Sequence, residues 1–172
     1  LERFSAPLCD TILNRNKSQI IIEKLEKNNL FVIPLDSERK WYRYHHLFAD
    51  LLKQRLLLKD KTLVENLHKK AAKWFEDNEM YDLAIEHTLF IKDYVKSIQL
   101  LEREVENMWK NGLHFAISSY GELIPHNVIK YNPEFCLYYS WILINNGEIQ
   151  KAEPLLKFAE KITNDKIRDK KT

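Results

Sequence analysis

A chain of 172 residues is long enough to bury a substantial core in one or two domains. With 45% hydrophobic and 30% charged residues but only three glycines, it reads as mainly α-helical. Its 27 basic side chains oppose 25 acidic ones, and the net charge of +2 gives no reason on charge alone to expect a nucleic-acid binder.

In chain order, Pro7-Leu8 starts a short helical piece that runs through Leu13. Asn16 and Ser18 offer N-caps for a second helix, in which Ile21, Ile22 and Leu25 make an apolar stripe, and Asn28-Asn29 ends it. Leu30–Leu35 is a compact apolar strand and Asp36–Lys40 a polar turn without glycine. Trp41–Tyr44, rich in aromatics, is the returning antiparallel strand. Leu47, Phe48, Leu51, Leu52 and Leu56 then fall at helical spacing. Helix, strand, turn and strand make the layout of a winged helix, with a two-stranded hairpin as the wing, over residues 1–60.

Lys59–Lys61 is a charged joint, and Thr62-Leu63-Val64-Glu65 matches a capping box. The helix it announces carries Val64, Leu67, Ala71 and Trp74 on one face, with Trp74 as a core residue. A second places Ala84, Ile85, Thr88 and Leu89 inward. Asp93 caps a third, with a stripe at Val95, Ile98, Leu101, Val105 and Met108 and a stop at Asn111-Gly112. A fourth spans about Leu113–Leu123. Asn132-Pro133 starts a fifth, which runs to Gly147. The last takes Ile149 to about Ile162, with a bend or a late start at Pro154. The tail Asp165–Thr172 is expected to fray. Successive amphipathic helices on short turns predict stacked, tetratricopeptide-like hairpins over residues 61–172. Trp74 with Ala84 parallels Trp141 with Ala152, one residue out of step, and Ala152 and Ala159 lie seven apart.

The two cysteines, Cys9 and Cys136, lie far apart and form no CxxC, so they read as buried small residues in a reducing cytoplasm. No run reaches the length of a membrane span and no signal peptide opens the chain, so no membrane contact is expected. The chain opens on Leu in mid-pattern, as a piece cut from something larger would.

The run WYRYHHLFADLL (Trp41–Leu52), with LFVIPLD ahead of it and LERFSAPLCD at the start, resembles the large LuxR-type regulators among the STAND signal-transduction ATPases, typified by the maltose-regulon activator. The resemblance implies a winged helix that follows a nucleotide-binding core and precedes a helical-repeat sensor. It further implies an intact protein that binds and hydrolyses ATP, passes through an ADP-bound state, takes an inducer, self-associates and activates transcription. In that family DNA is bound by a separate C-terminal helix-turn-helix, a segment with no counterpart in these residues.

His45 and His46 sit where a strand hands over to a helix N-terminus, whose free N–H groups and positive dipole end suit an anion. Three readings stand for the pair. A metal site is the weakest, because adjacent side chains diverge and no Cys or His lies at ligand spacing. A second makes one histidine a structural residue and the other a surface residue. The third, carried by the resemblance, matches His45 to a nucleotide-sensing histidine; nothing is carried over to His46. No GxxxxGK[ST] loop is present and no nucleophile–base spacing is visible, so no enzyme activity, and no cofactor, is expected of these residues alone.

A winged helix also invites a DNA reading, and Arg39, Lys40 and Arg43 make the wing basic. Glu23 and Glu26 on the helix before it speak against that, since affinity for DNA comes mainly from neutralising phosphates. Tyr131, Phe135, Tyr138 and Ile142 have helical core spacing, which leaves Tyr139 as the candidate exposed contact. The sequence therefore reads as the switch-and-arm module of a LuxR-class, ATP-dependent activator. A helical-repeat scaffold for peptides and a winged-helix DNA binder are the alternatives.

Overall fold

Local side-chain capping explains where four of the helices begin. The computed structural model describes residues 1–169. Ser5 receives the N–H of Leu8 and opens α1 (Ala6–Leu13), with Pro7 in its first turn, where a missing N–H costs nothing. Asn14, in the left-handed region, closes it. The expected caps of α2 (Ser18–Lys27), Asn16 and Ser18, are not used. Instead the Asp10 carboxylate, on α1, takes the N–H of Ser18 at 3.0 Å, so one side chain joins both helices. Of the expected stripe only Ile22 is buried; Ile21 is exposed.

The strands are shorter than their apolar runs: β1 is Val32–Pro34 and β2 is Tyr42–Tyr44, paired antiparallel with Val32 opposite Tyr44 and Pro34 opposite Tyr42. On its other side Tyr42 exchanges both backbone hydrogen bonds with Phe4, each at 2.8 Å. The wing is therefore anchored to the residue just before α1. The helix α3 (His46–Lys59) was expected to be amphipathic, yet it has no buried residue. Its leucines at 47, 51, 52, 57 and 58 are exposed on several sides.

Asp60, not Thr62, caps α4 (Lys61–Asp77): its carboxylate accepts from Leu63 N–H at 3.0 Å, which places Thr62 inside the first turn. The helix buries Val64, Ala71, Ala72 and Phe75. It packs on α1, where the Lys70 ammonium donates to the carbonyl of Ile12 at 3.0 Å and satisfies the free end of that helix. Trp74, expected in the core, is half-buried. Phe75 occupies the core instead, at 1% exposure, with Trp41 of the wing stacked on it and edge-on to Trp74. Residues Leu1–Asn78 close on themselves as one unit.

The second unit, Glu79–Thr172, holds α5 (Tyr81–Phe90), α6 (Tyr94–Lys110), α7 (His114–Leu123), the short α8 (His126–Ile129), α9 (Pro133–Asn145) and α10 (Ile149–Asp169). Asp93 and Asn132 cap α6 and α9 as read from sequence, through Lys96 N–H and Phe135 N–H. The helix α8 was not foreseen. The pairs α5–α6 and α9–α10 form hairpins, and α6 and α7 both pack against α9. Ala152 and Ala159 are buried between α9 and α10, and the Ser140 hydroxyl reaches the Ala152 carbonyl there. Buried hydroxyls of Thr88 and Ser97 meet at 2.8 Å across α5 and α6. The helix α10 starts at Ile149 and runs through Pro154, so of the bend or late start expected there the late start does not occur. It also continues to Asp169 through most of the tail expected to fray; the last three residues of that tail lie outside the described residues. Among the described residues no helix is long and apolar enough to cross a membrane.

Two stability consequences follow. Phe75→Ala should destabilise by about 3–5 kcal/mol, and Trp74→Ala, half in water, by about 1–2 kcal/mol. Urea unfolding of the two variants checks the order. In the second unit, a Cβ on Gly121 would lie 2.4 Å from the fully buried ring of Tyr139. Gly121→Ala should therefore cost about 1–3 kcal/mol, part of it recovered by Tyr139→Leu, as read from paired melting curves.

Candidate functional site

The candidate site is the strand–helix junction at the end of the wing, and the wing is held by its own turn. The Asp36 carboxylate accepts from Lys40 N–H at 3.0 Å and Trp41 N–H at 2.7 Å. Those bonds close Asp36–Lys40 without glycine, with Arg39 taking the left-handed conformation. They also hold the Asp36 carboxyl below the usual carboxylate range, chiefly through the Lys40 N–H. Along β2 the side chains alternate. Tyr42 is buried against Phe4, and Tyr44 meets Phe4 at 4.7 Å and Phe48 edge-on at 5.6 Å. Arg43, between them, takes the other face and is exposed.

His45 is the N-cap residue of α3 and is half-buried; its own N–H donates to the carbonyl of Phe31 at 2.7 Å. Its imidazole makes no capping hydrogen bond to the helix. The ring of His46, exposed, lies on it with centroids 4.4 Å apart and planes 31° from parallel. The two side chains therefore stack, where divergence was expected. Two imidazoles thus lie beside the first turn of a fourteen-residue helix, whose N–H groups lack intrahelical partners. That is a set of donors for an anionic oxygen, with Arg43 on the adjoining strand. Among the described residues no group of three or more His, Cys, Asp or Glu could hold a metal ion.

The other singled-out residues fall as follows. Arg39 is exposed and paired with Glu26 of α2 at 3.6 Å, and Lys40 is paired with Glu38. Two of the wing's three cations are thus already met by carboxylates of the same unit. Tyr139 is not an exposed contact: it is buried at 1% exposure and stacked on Phe135. The buried side of α9 is Phe135, Cys136, Tyr139, Ser140, Ile142 and Leu143, so Phe135 and Ile142 of the stripe read in the sequence are buried while Tyr139 is buried in place of Tyr138 and Tyr131 is exposed. Helices on several sides of α9 and the missing side chain of Gly121 make room for the ring. Burial pushes the Cys136 thiol up to about 12 and the Cys9 thiol up to about 11, so neither is an activated nucleophile. Sequence reasoning missed Phe31 and Asp36. Asp at the first position of a turn was a readable signal; a left-handed phenylalanine leaves none.

Residues 1–64 match the sequence profile of the MalT winged helix domain. This segment is a MalT-type winged helix. Its hairpin after two helices is the wing. Distant homology extends over most of the chain. It is 26% identical over 163 residues to the HTH-type transcriptional regulator MalT of Vibrio cholerae, covering 94% of this chain and 18% of that protein. It is 24% identical over 166 residues to the serine/threonine-protein kinase PknK of Mycobacterium tuberculosis, covering 92% of this chain and 15% of that protein. The regulator MalT of Cronobacter sakazakii is 22% identical over 160 residues, covering 93% and 18%. The chain thus spans less than a fifth of the length of these relatives.

The wing turn of this MalT-type winged helix makes its stability pH-dependent. The Asp36 carboxyl is depressed in the folded state, so its contribution is complete above the ordinary carboxylate range and lost as pH falls below it. Asp36→Ala should lower the melting temperature at pH 7. The gap to the parent should close in acid, where the parent's own carboxylate takes up its proton.

Proposed function

We propose that this chain is the switch-and-arm module of a larger, LuxR-class, ATP-dependent transcriptional activator. In this reading the winged helix, about residues 1–60, contacts an upstream nucleotide-binding domain. The helical region, about 61–172, leads to inducer-sensing repeats downstream. The observation that carries the reading is His45 at the first turn of α3 inside the segment that matches the MalT winged helix. The exposed leucines of α3 support it, since a helix apolar on several sides is one that other elements cover.

The residues fit one wall of a phosphate site and no more. His45 donates an imidazole N–H toward a phosphate oxygen, and the charge-assisted form of that bond is the stronger. The free N–H groups of α3 add a fixed positive end, and Arg43 adds charge on the adjoining strand. The nucleotide, held elsewhere by a phosphate loop, supplies the anionic oxygen when bound. Contact across that gap ties the winged helix to the core in the ADP-bound, resting protein, and losing it favours the open, self-associating form. The reading places DNA binding in a C-terminal domain outside these residues. The Arg39–Glu26 pair supports that placement, since phosphate would have to compete for the wing's cation.

In the full-length protein, His45→Ala should speed ADP release and raise inducer-independent transcription, through a coupling of roughly 1–3 kcal/mol. His46→Ala should do much less. A His45→Ala protein that holds ADP as tightly as its parent and stays silent without inducer would reduce His45 to a packed residue.

A further inference from the structure

Phe31 is the residue of the junction whose conformation is furthest from its own preference. Its φ is 60°, in the left-handed region that suits asparagine or glycine and strains a bulky side chain. The left-handed residues that close the two preceding helices, Asn14 and Asn29, are of a tolerant type. Core packing does not explain this conformation, because Phe31 is 54% exposed and recovers little from burial.

What the strained backbone does achieve is specific. The Phe31 carbonyl accepts the N–H of His45 at 2.7 Å, and the Phe31 ring stacks on Phe48 at 5.0 Å with planes 29° apart. One residue therefore grips His45 from its backbone side and also covers the side chain three positions later, on the first turn of α3. Tyr44, just before His45, meets that same Phe48 ring from its edge. Phe31, Tyr44 and Phe48 thus meet one another around the backbone step by which His45 leads into the helix.

We propose that Phe31 is a positioning residue for His45. Its left-handed backbone aims the carbonyl at the His45 N–H, its ring clamps Phe48, and together they hold the imidazole toward a phosphate oxygen. The inference rests on the reading of His45 as a phosphate contact. Strain of this kind persists where surrounding structure over-determines it, and ligand clamps are where it collects. Relaxing Phe31 to a negative φ would turn its carbonyl off His45 and release the junction.

Three variants separate strain, ring and fold. Phe31→Asn adopts the same backbone readily but has no ring; Phe31→Gly removes both strain and ring; Phe31→Tyr keeps both. In the 172-residue chain, the imidazole NMR signals and amide exchange of His45 are followed beside the unfolding midpoint. In the full-length protein the rate of ADP release is measured with His45→Ala as reference. Phe31→Gly and Phe31→Asn should shift the His45 signals and speed its amide exchange while the midpoint stays near the parent's. They should also speed ADP release about fivefold or more, and Phe31→Tyr should leave every readout at the parent's value. Unmoved His45 signals in Phe31→Gly and Phe31→Asn would overturn the proposal. So would ADP release that responds to His45→Ala but not to either Phe31 variant, which leaves the phosphate reading standing. If the His45 signals move but neither His45→Ala nor the Phe31 variants change ADP release, the positioning by Phe31 holds and the phosphate reading fails.

Discussion

Tyr42 is the residue on which the first unit depends. Its backbone is paired on both sides, to Phe4 and to Pro34, and its side chain is fully buried. A three-residue strand alone is too short to be stable, and a two-stranded hairpin is marginal in water. The pairing to Phe4 adds a third line of backbone to the sheet at its most buried point. It also fixes where α1 can begin, because Ser5, the cap, is the next residue. From Tyr42 the two-residue alternation of β2 settles the rest: Tyr44 turns in toward Phe4, while Arg43 takes the other face. The register of the wing and the orientation of the junction are thus one constraint.

Much of this was legible in the sequence, and what was not has physical causes. Helix starts set by a side chain reaching its own third neighbour, such as Asp93 and Asn132, could be read directly. A start set from another element could not: the Asp10 carboxylate holds Ser18 from the preceding helix, across eight residues. At α4 two adjacent candidates competed, and Asp60 won over Thr62 because it stands where the extended backbone turns into the helix. Periodicity gave the helices but not their phase. Phe75 is buried where Trp74 was expected, and Tyr139 where Tyr138 was, although Phe135 and Ile142 of the same stripe are buried as read. The phase of a helix surrounded on several sides is decided by its neighbours, and Gly121 shows how: an absent methyl admits a whole phenol ring. At the site, the place of His45 was readable from the strand-to-helix change. The stacking of His45 on His46 and the strained Phe31 were not, since neither leaves a compositional trace.

The two units solve the problem of burying polar groups in different ways. In the first, polar groups are spent at the ends of elements. Asp10, Asp36 and Lys70 each satisfy backbone groups that a helix end or turn leaves open. In the second, small polar side chains lie between helices: Thr88 with Ser97, Ser140 with the Ala152 carbonyl, and Asn132 reaching both Phe135 N–H and the Ile98 carbonyl. Such bonds cost little volume, so helices can approach closely, and each pair has one register in which its donors are met. That is what stacked hairpins need if each is to fix the position of the next.

The wing's internal charge pairing bears on what a winged helix of this kind can transmit. Arg39 at the turn reaches back to Glu26, so the tip of the wing is tied to α2, and Asp36 locks the turn itself. A partly exposed pair of this sort contributes little to stability, on the order of 0–1 kcal/mol. Its effect is geometric: together with the Phe4–Tyr42 pairing it leaves the hairpin few ways to move on its own. Just before β2, Trp41 is packed on Phe75 of α4, which ties that end of the hairpin to the body of the unit. The short strand links the junction to the helix that closes the unit, and a hairpin built for reading a flexible groove would not need to be stiff at both ends.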